Sequence, residues 1–205
     1  MSISVDPAIS VEVEKLLERT GALLNGHFKL SSGLHSDRYC QCAKLFEDPA
    51  AGGMVAKLMR DSLPRKLRID TVLAPALGGV VWGYELARAC GARSMFAERK
   101  DGEFSLRRGF RLEPGEHVLL AEDVITTGKS VKELLPLVEE AGAIVVGYAT
   151  VVDRSRGEFE PGANSKGDRV GAWGLCELHF NTWTEEDCPL VKAGIPVEKP
   201  GSRPG

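Results

Sequence analysis

An acidic pair followed by a run of hydroxyl side chains could do chemistry in this 205-residue chain. Glu122 and Asp123 come directly after the apolar run 118–121, which predicts a buried strand. The next segment, Thr126-Thr127-Gly128-Lys129-Ser130, predicts a tight turn that opens a helix from about 130 to 140. Backbone N–H groups at such a turn and helix start favour an anion, so the stretch predicts a phosphate site.

The two carboxylates fit this site only if the ligand carries more than phosphate. A ribose diol or a hydrated Mg2+ requires oxygen acceptors, such as carboxylates, beside the N–H donors that would hold the phosphate. The alternative is an acidic turn and an N-capped helix of an ordinary α/β domain, because Thr and Asp are favoured capping residues in any case.

A second candidate cradle follows an earlier strand. The apolar segment 70–74 predicts a buried strand, and Ala76-Leu77-Gly78-Gly79 then leads into a predicted helix at 80–90. Small residues between a strand and a helix can face a pyrophosphate through their amides, although tight turns require glycine without any ligand. Two such turns on successive strands strengthen the prediction of a ligand with two anionic groups.

Two further segments carry candidate cationic side chains. Arg154 follows the apolar strand predicted at 143–152, at the rim where open α/β sheets bind ligands, and a salt bridge that caps the strand end is the alternative. The charged, glycine-punctuated segment 98–110 has no clean periodicity. It is typical of a mobile lid whose cations neutralise a leaving group, or of a solvated β-hairpin arm.

Further elements place these motifs in an α/β domain. Alternating strands and helices favour a mostly parallel sheet flanked by helices. The remaining predicted elements are a helix at 10–20, a hairpin with strands at 26–30 and 39–43, a helix at 47–62, and strands at 93–97 and 173–180.

Composition excludes several classes of protein. The chain is 43% hydrophobic and 27% charged, with a formal net charge of -3, which argues against binding nucleic acid through bulk electrostatics. It has no apolar run of about 18 residues and no signal-peptide pattern, so we expect a cytoplasmic protein that does not bind membranes. Five cysteines lack a CxxC pair; Cys40 and Cys42 leave a metal or redox role open, but reduced structural thiols are the default.

Six segments resemble the orotate phosphoribosyltransferases, a branch of the type I phosphoribosyltransferase family, in the same order and at similar spacing. The family uses 5-phosphoribosyl-1-pyrophosphate (PRPP) as donor. The segments span roughly residues 26–157 and are Phe28-x-Leu-Ser-Ser-Gly-Leu-His-Ser36, Ala74-Pro-Ala-Leu-Gly-Gly79, Phe96-Ala-Glu-Arg-Lys100, Leu106-Arg-Arg-Gly-Phe110, the stretch 118–131 and Val152-Asp-Arg154.

The resemblance implies a single α/β domain of the type I phosphoribosyltransferase fold. Its core would be about 46–169, and a small hood would come from the N-terminal hairpin region and the C-terminal segment, about 1–45 and 170–190. Residues 191–205 would be a loose tail. The implied reaction moves the 5-phosphoribosyl group from PRPP to N1 of orotate, with Mg2+ held mainly by PRPP rather than by protein ligands.

The resemblance also implies a role for each motif. Arg99, Lys100 and Asp123 would be catalytic. PRPP would be bound by Ala76, Leu77, Gly78, Gly79, Glu122, Asp123, Val124, Ile125, Thr126, Thr127, Gly128, Lys129 and Ser130. Orotate would be bound by Ser31, Ser32, Tyr39, Thr126 and Arg154. The partners would be PRPP, orotate and a second copy of the chain, in a homodimer whose 98–110 lid reaches the neighbouring active site.

The sequence departs from the family pattern in three places. Glu103-Phe104-Ser105 stand where a lysine and a histidine are common in the lid, Ser31 replaces a lysine, and Leu77-Gly78 replace a Tyr-Lys pair. Arg107 and Arg108 are candidates to supply the missing lid charge. Two alternatives therefore stay open: a phosphoribosyltransferase for a purine base, and a non-catalytic PRPP- or nucleotide-sensing regulator on the same fold.

Overall fold

A computed structural model of the protein describes residues 2–30 and 32–199, which form ten strands, six α-helices and one 3-10 helix. The strands are β1 (Ser4–Val5), β2 (Leu23–Lys29), β3 (His35–Cys40), β4 (Thr71–Pro75), β5 (Arg93–Lys100), β6 (Glu103–Leu106), β7 (His117–Ile125), β8 (Ile144–Asp153), β9 (Gly171–Glu177) and β10 (Thr182–Trp183). The helices are α1 (Pro7–Arg19), α2 (Pro49–Ser62), α3 (Gly79–Cys90), α4 (Lys129–Lys132), α5 (Leu135–Glu140) and α6 (Pro189–Lys192), with a 3-10 helix at Cys42–Glu47.

The main sheet has the order β1-β9-β8-β7-β4-β5-β6. Neighbouring strands are parallel except β5 and β6, which form an antiparallel hairpin. The chain goes from β4 outward to β5 and later returns to β7 on the other side of β4. This reversal makes a topological switch point between β4 and β7, where open α/β sheets bind their ligands. The predicted α/β fold with a mostly parallel sheet is confirmed.

Buried side chains cover both faces of this sheet. Along β7, Leu119 packs on the face covered by α1, α2 and α3, while Val118 and Leu120 pack on the face of α4 and α5. This alternation follows from the two-residue period of a strand. With helices on both faces, the carboxyl edge of the sheet is where the chain presents polar groups.

A smaller antiparallel sheet joins the N-terminal hairpin to the C-terminal segment in the order β10-β3-β2. This matches the predicted hood, but its extent differs from 1–45 and 170–190, because β1 and β9 pair within the main sheet. The predicted loose tail at 191–205 also differs in its described part. Glu198 N donates to His27 O, and Lys29 N donates to Glu198 O, both at 2.8 Å.

The helix predicted at 130–140 is split into α4 and α5. Pro136 lies in the first turn of α5. It has no N–H to donate to the carbonyl four residues earlier, and its ring crowds that carbonyl, so a continuous helix cannot pass through it. Only one turn of helix, α4, therefore follows the phosphate-binding candidate.

Candidate functional site

Two turns meet at the switch point. β4 ends at Pro75 and β7 ends at Ile125, so the turn at 76–78 and the turn at 126–128 lie on the same edge of the sheet. A Cβ atom on Gly78 would lie 3.1 Å from Asp123 Oδ1, which is closer than ordinary contact. Glycine therefore lets the first turn approach the acidic pair. Within that turn, Ala76 N donates to Ala97 O at 2.8 Å, and the Ala76–Leu77 peptide is cis.

Gly128 shapes the second turn. Its φ of 72° is left-handed, and a Cβ there would lie 2.3 Å from the Phe159 ring, so glycine is required on two counts. Thr126 and Thr127 are exposed, and Thr127 Oγ1 accepts from Lys129 N at 3.3 Å. Because α4 has four residues, its dipole is small, and anion binding here would depend mainly on turn amides and hydroxyls.

The acidic pair is electrostatically strained. Burial, reinforced by the neighbouring Asp123 carboxylate, raises the pKa of Glu122 to about 8. Burial also raises the pKa of Asp123, against backbone hydrogen bonds from Val124 and its own amide that lower it. The pair therefore retains a proton at neutral pH. Hydroxyl donors or a divalent cation placed between these oxygens would favour the doubly ionised form.

Arg154 stands at the end of β8 with its main-chain N donating to Ile125 O at 2.8 Å, which ties it to the end of β7. Its guanidinium carbon lies 3.9 Å from the centroid of the Phe180 ring. Burial lowers the pKa of this group. Among the described residues no carboxylate forms an ion pair with Arg154, so the capping salt bridge considered from the sequence is not made there. A half-buried, stacked guanidinium is well suited to a planar carboxylate.

The hairpin predicted to bind the base lies beside these groups. Tyr39 is half-buried on β3, with its ring centroid 5.8 Å from that of Phe28. Cys42, three residues later, donates weakly from Sγ to Asp123 O at 3.9 Å, so this segment reaches the acidic pair. Ser32 is exposed in the hairpin turn, whereas Ser31 lies outside the described residues.

The lid predicted at 98–110 is the hairpin of β5 and β6 with the turn that follows. The Arg99 guanidinium contacts Glu133 and donates to Gly102 O at 2.6 Å, so its contacts are with its own hairpin and the α4–α5 junction rather than with 76–79. Lys100 is exposed at the hairpin tip. Arg108 forms a two-point ion pair with Glu98, which offsets the charge that it was a candidate to supply.

Other site predictions divide into exposed and buried groups. Lys129 is exposed and Ser130 is half-buried, so both can reach a ligand above the turn. The Ile125 side chain is 1% exposed in the core and its carbonyl accepts from Arg154 N, so a contact of Ile125 with a ligand would come from its main chain. Leu77 is 87% exposed.

Sequence reasoning missed two aromatic residues. Phe180 stacks on Arg154, and Phe159 closes the far side of Gly128. Both come from loops far along the chain from the groups they support, and an isolated phenylalanine carries no spacing signal.

A comparison of the sequence with models of protein families agrees with this description of the site. A family model described as the phosphoribosyl transferase domain covers residues 43–176, which include both turns and Arg154. The fold and the switch-point site thus define a phosphoribosyltransferase domain of type I.

Relatives with similar sequences show which branch of the phosphoribosyltransferases this chain belongs to. The orotate phosphoribosyltransferase of Thermotoga maritima is 49% identical over 191 residues, covering 93% of this chain and 98% of the relative. That of Erythrobacter litoralis is 47% identical over 194 residues, covering 94% and 97%. The chain belongs to the orotate phosphoribosyltransferase family. A solved structure, the orotate phosphoribosyltransferase of Aeropyrum pernix, shares the fold with a TM-score of 0.65, at 24% identity over 81% of this chain and 93% of that one.

Proposed function

We propose that this protein transfers the 5-phosphoribosyl group of PRPP to N1 of orotate, giving orotidine 5′-monophosphate and pyrophosphate, in the synthesis of UMP. The observation that carries the proposal is Arg154, whose main-chain N donates to Ile125 O just before the 126–128 turn, and whose guanidinium stacks on Phe180 with no ion-pair partner in the described chain. The names of the close relatives support the same reaction.

The reaction breaks the bond between C1′ and the pyrophosphate oxygen and forms a bond from C1′ to N1. Positive charge develops on the ribose and negative charge on the leaving group, so a catalyst must stabilise both. The 126–130 turn would hold the 5′-phosphate through amides and hydroxyls. The 76–79 turn would lie against the pyrophosphate, since Gly78 brings it next to Asp123.

Glu122 and Asp123 would accept hydrogen bonds from the two ribose hydroxyls. Their raised pKa values support this role, because hydroxyl donors relieve the repulsion between two half-buried carboxylates. The same oxygens fit Mg2+, which prefers carboxylate and phosphate oxygens. When bound with PRPP, Mg2+ would neutralise charge on the leaving pyrophosphate, with the substrate supplying most of its ligands.

Arg154 would bind the orotate carboxylate, and Tyr39 and Ser32 would lie near the base, as would Ser31, which is outside the described residues. A purine has no carboxylate, so the stacked, unpaired guanidinium favours orotate over the purine alternative. Arg99 and Lys100 would complete the site from the lid of a second subunit, and the partners that Arg99 has within its own chain would then be exchanged on closure.

A homodimer is part of the proposal. Exposed apolar side chains on and before α3 support it: Leu77 is 87%, Val81 48% and Tyr84 59% exposed. A cytoplasmic location is also proposed, and the five free cysteines are what a reducing compartment favours. In the described chain no helix is long and apolar enough to cross a bilayer.

The test is product identification. Purified protein is incubated with Mg2+, PRPP and orotate, and the mixture is analysed for orotidine 5′-monophosphate and pyrophosphate in equal amounts. The matched control is the Asp123→Asn variant, which keeps the shape of the side chain and removes its charge. Absence of the nucleotide with wild-type protein would reject the proposal and favour a PRPP-sensing regulator.

A further inference from the structure

Three potential metal ligands converge inside the small sheet, away from β4 and β7. They are His27 on β2, His35 on β3 and Cys188 just before α6, and their exposures are 3%, 2% and 0%. One ligand atom from each lies within 4.8 Å of the others. His27 Nε2 is 2.6 Å from His35 Nδ1 and 3.7 Å from Cys188 Sγ. Buried polar groups of this kind require partners.

The hydrogen bonding of His27 prepares one nitrogen for a cation. His27 Nδ1 is 2.7 Å from the carbonyl oxygen of Ile195. A carbonyl only accepts, so Nδ1 carries the proton and Nε2 carries the lone pair. A histidine that donates its other N–H to a backbone carbonyl has the usual arrangement of a metal ligand.

His35 is left unsatisfied when hydrogen bonds alone are considered. Since His27 Nε2 has a lone pair, His35 Nδ1 must donate to it, and the neutral ring then has no proton on Nε2. That Nε2 is buried without a hydrogen-bond partner and lies 3.7 Å from a Glu185 carboxylate oxygen. A cation bound at Nδ1 reverses the tautomer, so that the proton lies on Nε2 and faces the Glu185 carboxylate oxygen 3.7 Å away.

We propose that His27 Nε2, His35 Nδ1 and Cys188 Sγ bind one transition-metal ion, with Zn2+ as the expected occupant. A thiolate and two imidazoles form a donor set that Zn2+ prefers over harder cations. Zn–N bonds of about 2.0–2.1 Å and a Zn–S bond of about 2.3 Å place tetrahedral donors roughly 3.3–3.6 Å apart. The distance of 3.7 Å between Cys188 Sγ and His27 Nε2 is close to this range, and all three donors lie within 4.8 Å of one another. On binding, the two imidazoles separate by roughly 0.7 Å and the cluster closes around the ion.

The ion would act as a clamp in the hood. Cys188 begins the C-terminal segment that returns to β2 through Ile195 and Glu198, and the two histidines stand on the two strands of the hairpin. One ion therefore joins both strands of the hairpin to a segment about 160 residues further along the chain, as a structural metal does. Three protein ligands leave one coordination position to water.

Cobalt titration of untagged, metal-stripped protein tests the site. Co2+ should bind at about one equivalent per chain and give the near-ultraviolet thiolate charge-transfer band of a cysteine ligand. The band should disappear in Cys188→Ser and persist in Cys90→Ser, where the cysteine lies on α3 outside the cluster. Zn2+ should displace the cobalt and raise the Tm of the wild-type protein by several degrees.

Three outcomes would overturn the proposal. The first is that the wild-type protein binds neither Co2+ nor Zn2+; this result does not depend on whether the Cys188 variant folds. A charge-transfer band that survives in Cys188→Ser places the ion at another thiol. The third is a Tm that does not respond to Zn2+ but changes with pH to the same extent in the wild type and in Cys188→Ser. That result would indicate that a protonated His35, rather than a metal ion, bridges His27 and Glu185.

Discussion

Replacing Arg154 with glutamine tests how the acceptor base is recognised. The substitution keeps a hydrogen-bonding side chain of similar reach and removes the charge from the half-buried guanidinium on Phe180. A hydrogen bond to a charged group contributes about 1.5–3 kcal/mol, and Arg154 can offer two to a carboxylate. A neutral amide recovers part of this, so we expect a net loss of about 2–3 kcal/mol, or about 30- to 150-fold.

Steady-state kinetics provide the assay. We expect the KM for orotate to rise by about 30- to 150-fold while the KM for PRPP changes little, because the two turns that would hold the donor do not depend on Arg154. The matched control is Arg68→Gln, which removes an exposed arginine paired with Asp70 before β4, at the opposite edge of the sheet. An equal loss for both substrates, or no loss for orotate, would refute the reasoning.

Three further results are expected from the second turn and the acidic pair. Because burial raises the pKa of Glu122 to about 8, this carboxyl is mostly protonated at pH 7, so Mg–PRPP binding should release protons and tighten as pH rises towards 8. Calorimetry in buffers of different ionisation enthalpy measures this release, which should be smaller in Glu122→Gln. Asp123→Asn should lower kcat about 100-fold with both substrates saturating, measured as initial rates; an unchanged kcat would contradict its role. Gly128→Ala should lower the free energy of unfolding by about 2–4 kcal/mol in urea, because positive φ and the Phe159 ring both oppose a methyl group. Gly157→Ala, which has positive φ but open space, should lose about 1 kcal/mol, and equal losses would remove the role given to Phe159.

The sequence predicted the parts of the site that come from short contiguous patterns. The apolar strand before Glu122, the glycine turn at 128 and the arginine after β8 each follow local rules, and a parallel sheet then brings strand ends to one edge. The fold class and the family are confirmed. The roles of individual residues in binding PRPP and orotate stay predictions.

Other features were beyond sequence reasoning because they depend on tertiary contacts. Phe180 and Phe159 act through partners far along the chain, and β1 and β10 are two-residue strands that exist only through their pairing. The His27, His35 and Cys188 cluster likewise joins residues that are 161 positions apart at the extremes. The break between α4 and α5 has a local cause instead: Pro136 lies inside the helix predicted at 130–140, and the prediction of one continuous helix was wrong there.

The central claim is selectivity for orotate as acceptor, and the most direct measurement compares kcat/KM for different bases. Wild-type protein with Mg2+ and saturating PRPP is given orotate, hypoxanthine, xanthine or adenine, and base consumption is followed by absorbance. We predict turnover of orotate with kcat/KM at least about 1000-fold above that for each purine, since a purine leaves the Arg154 charge unpaired. Consumption of a purine with no consumption of orotate would contradict the account.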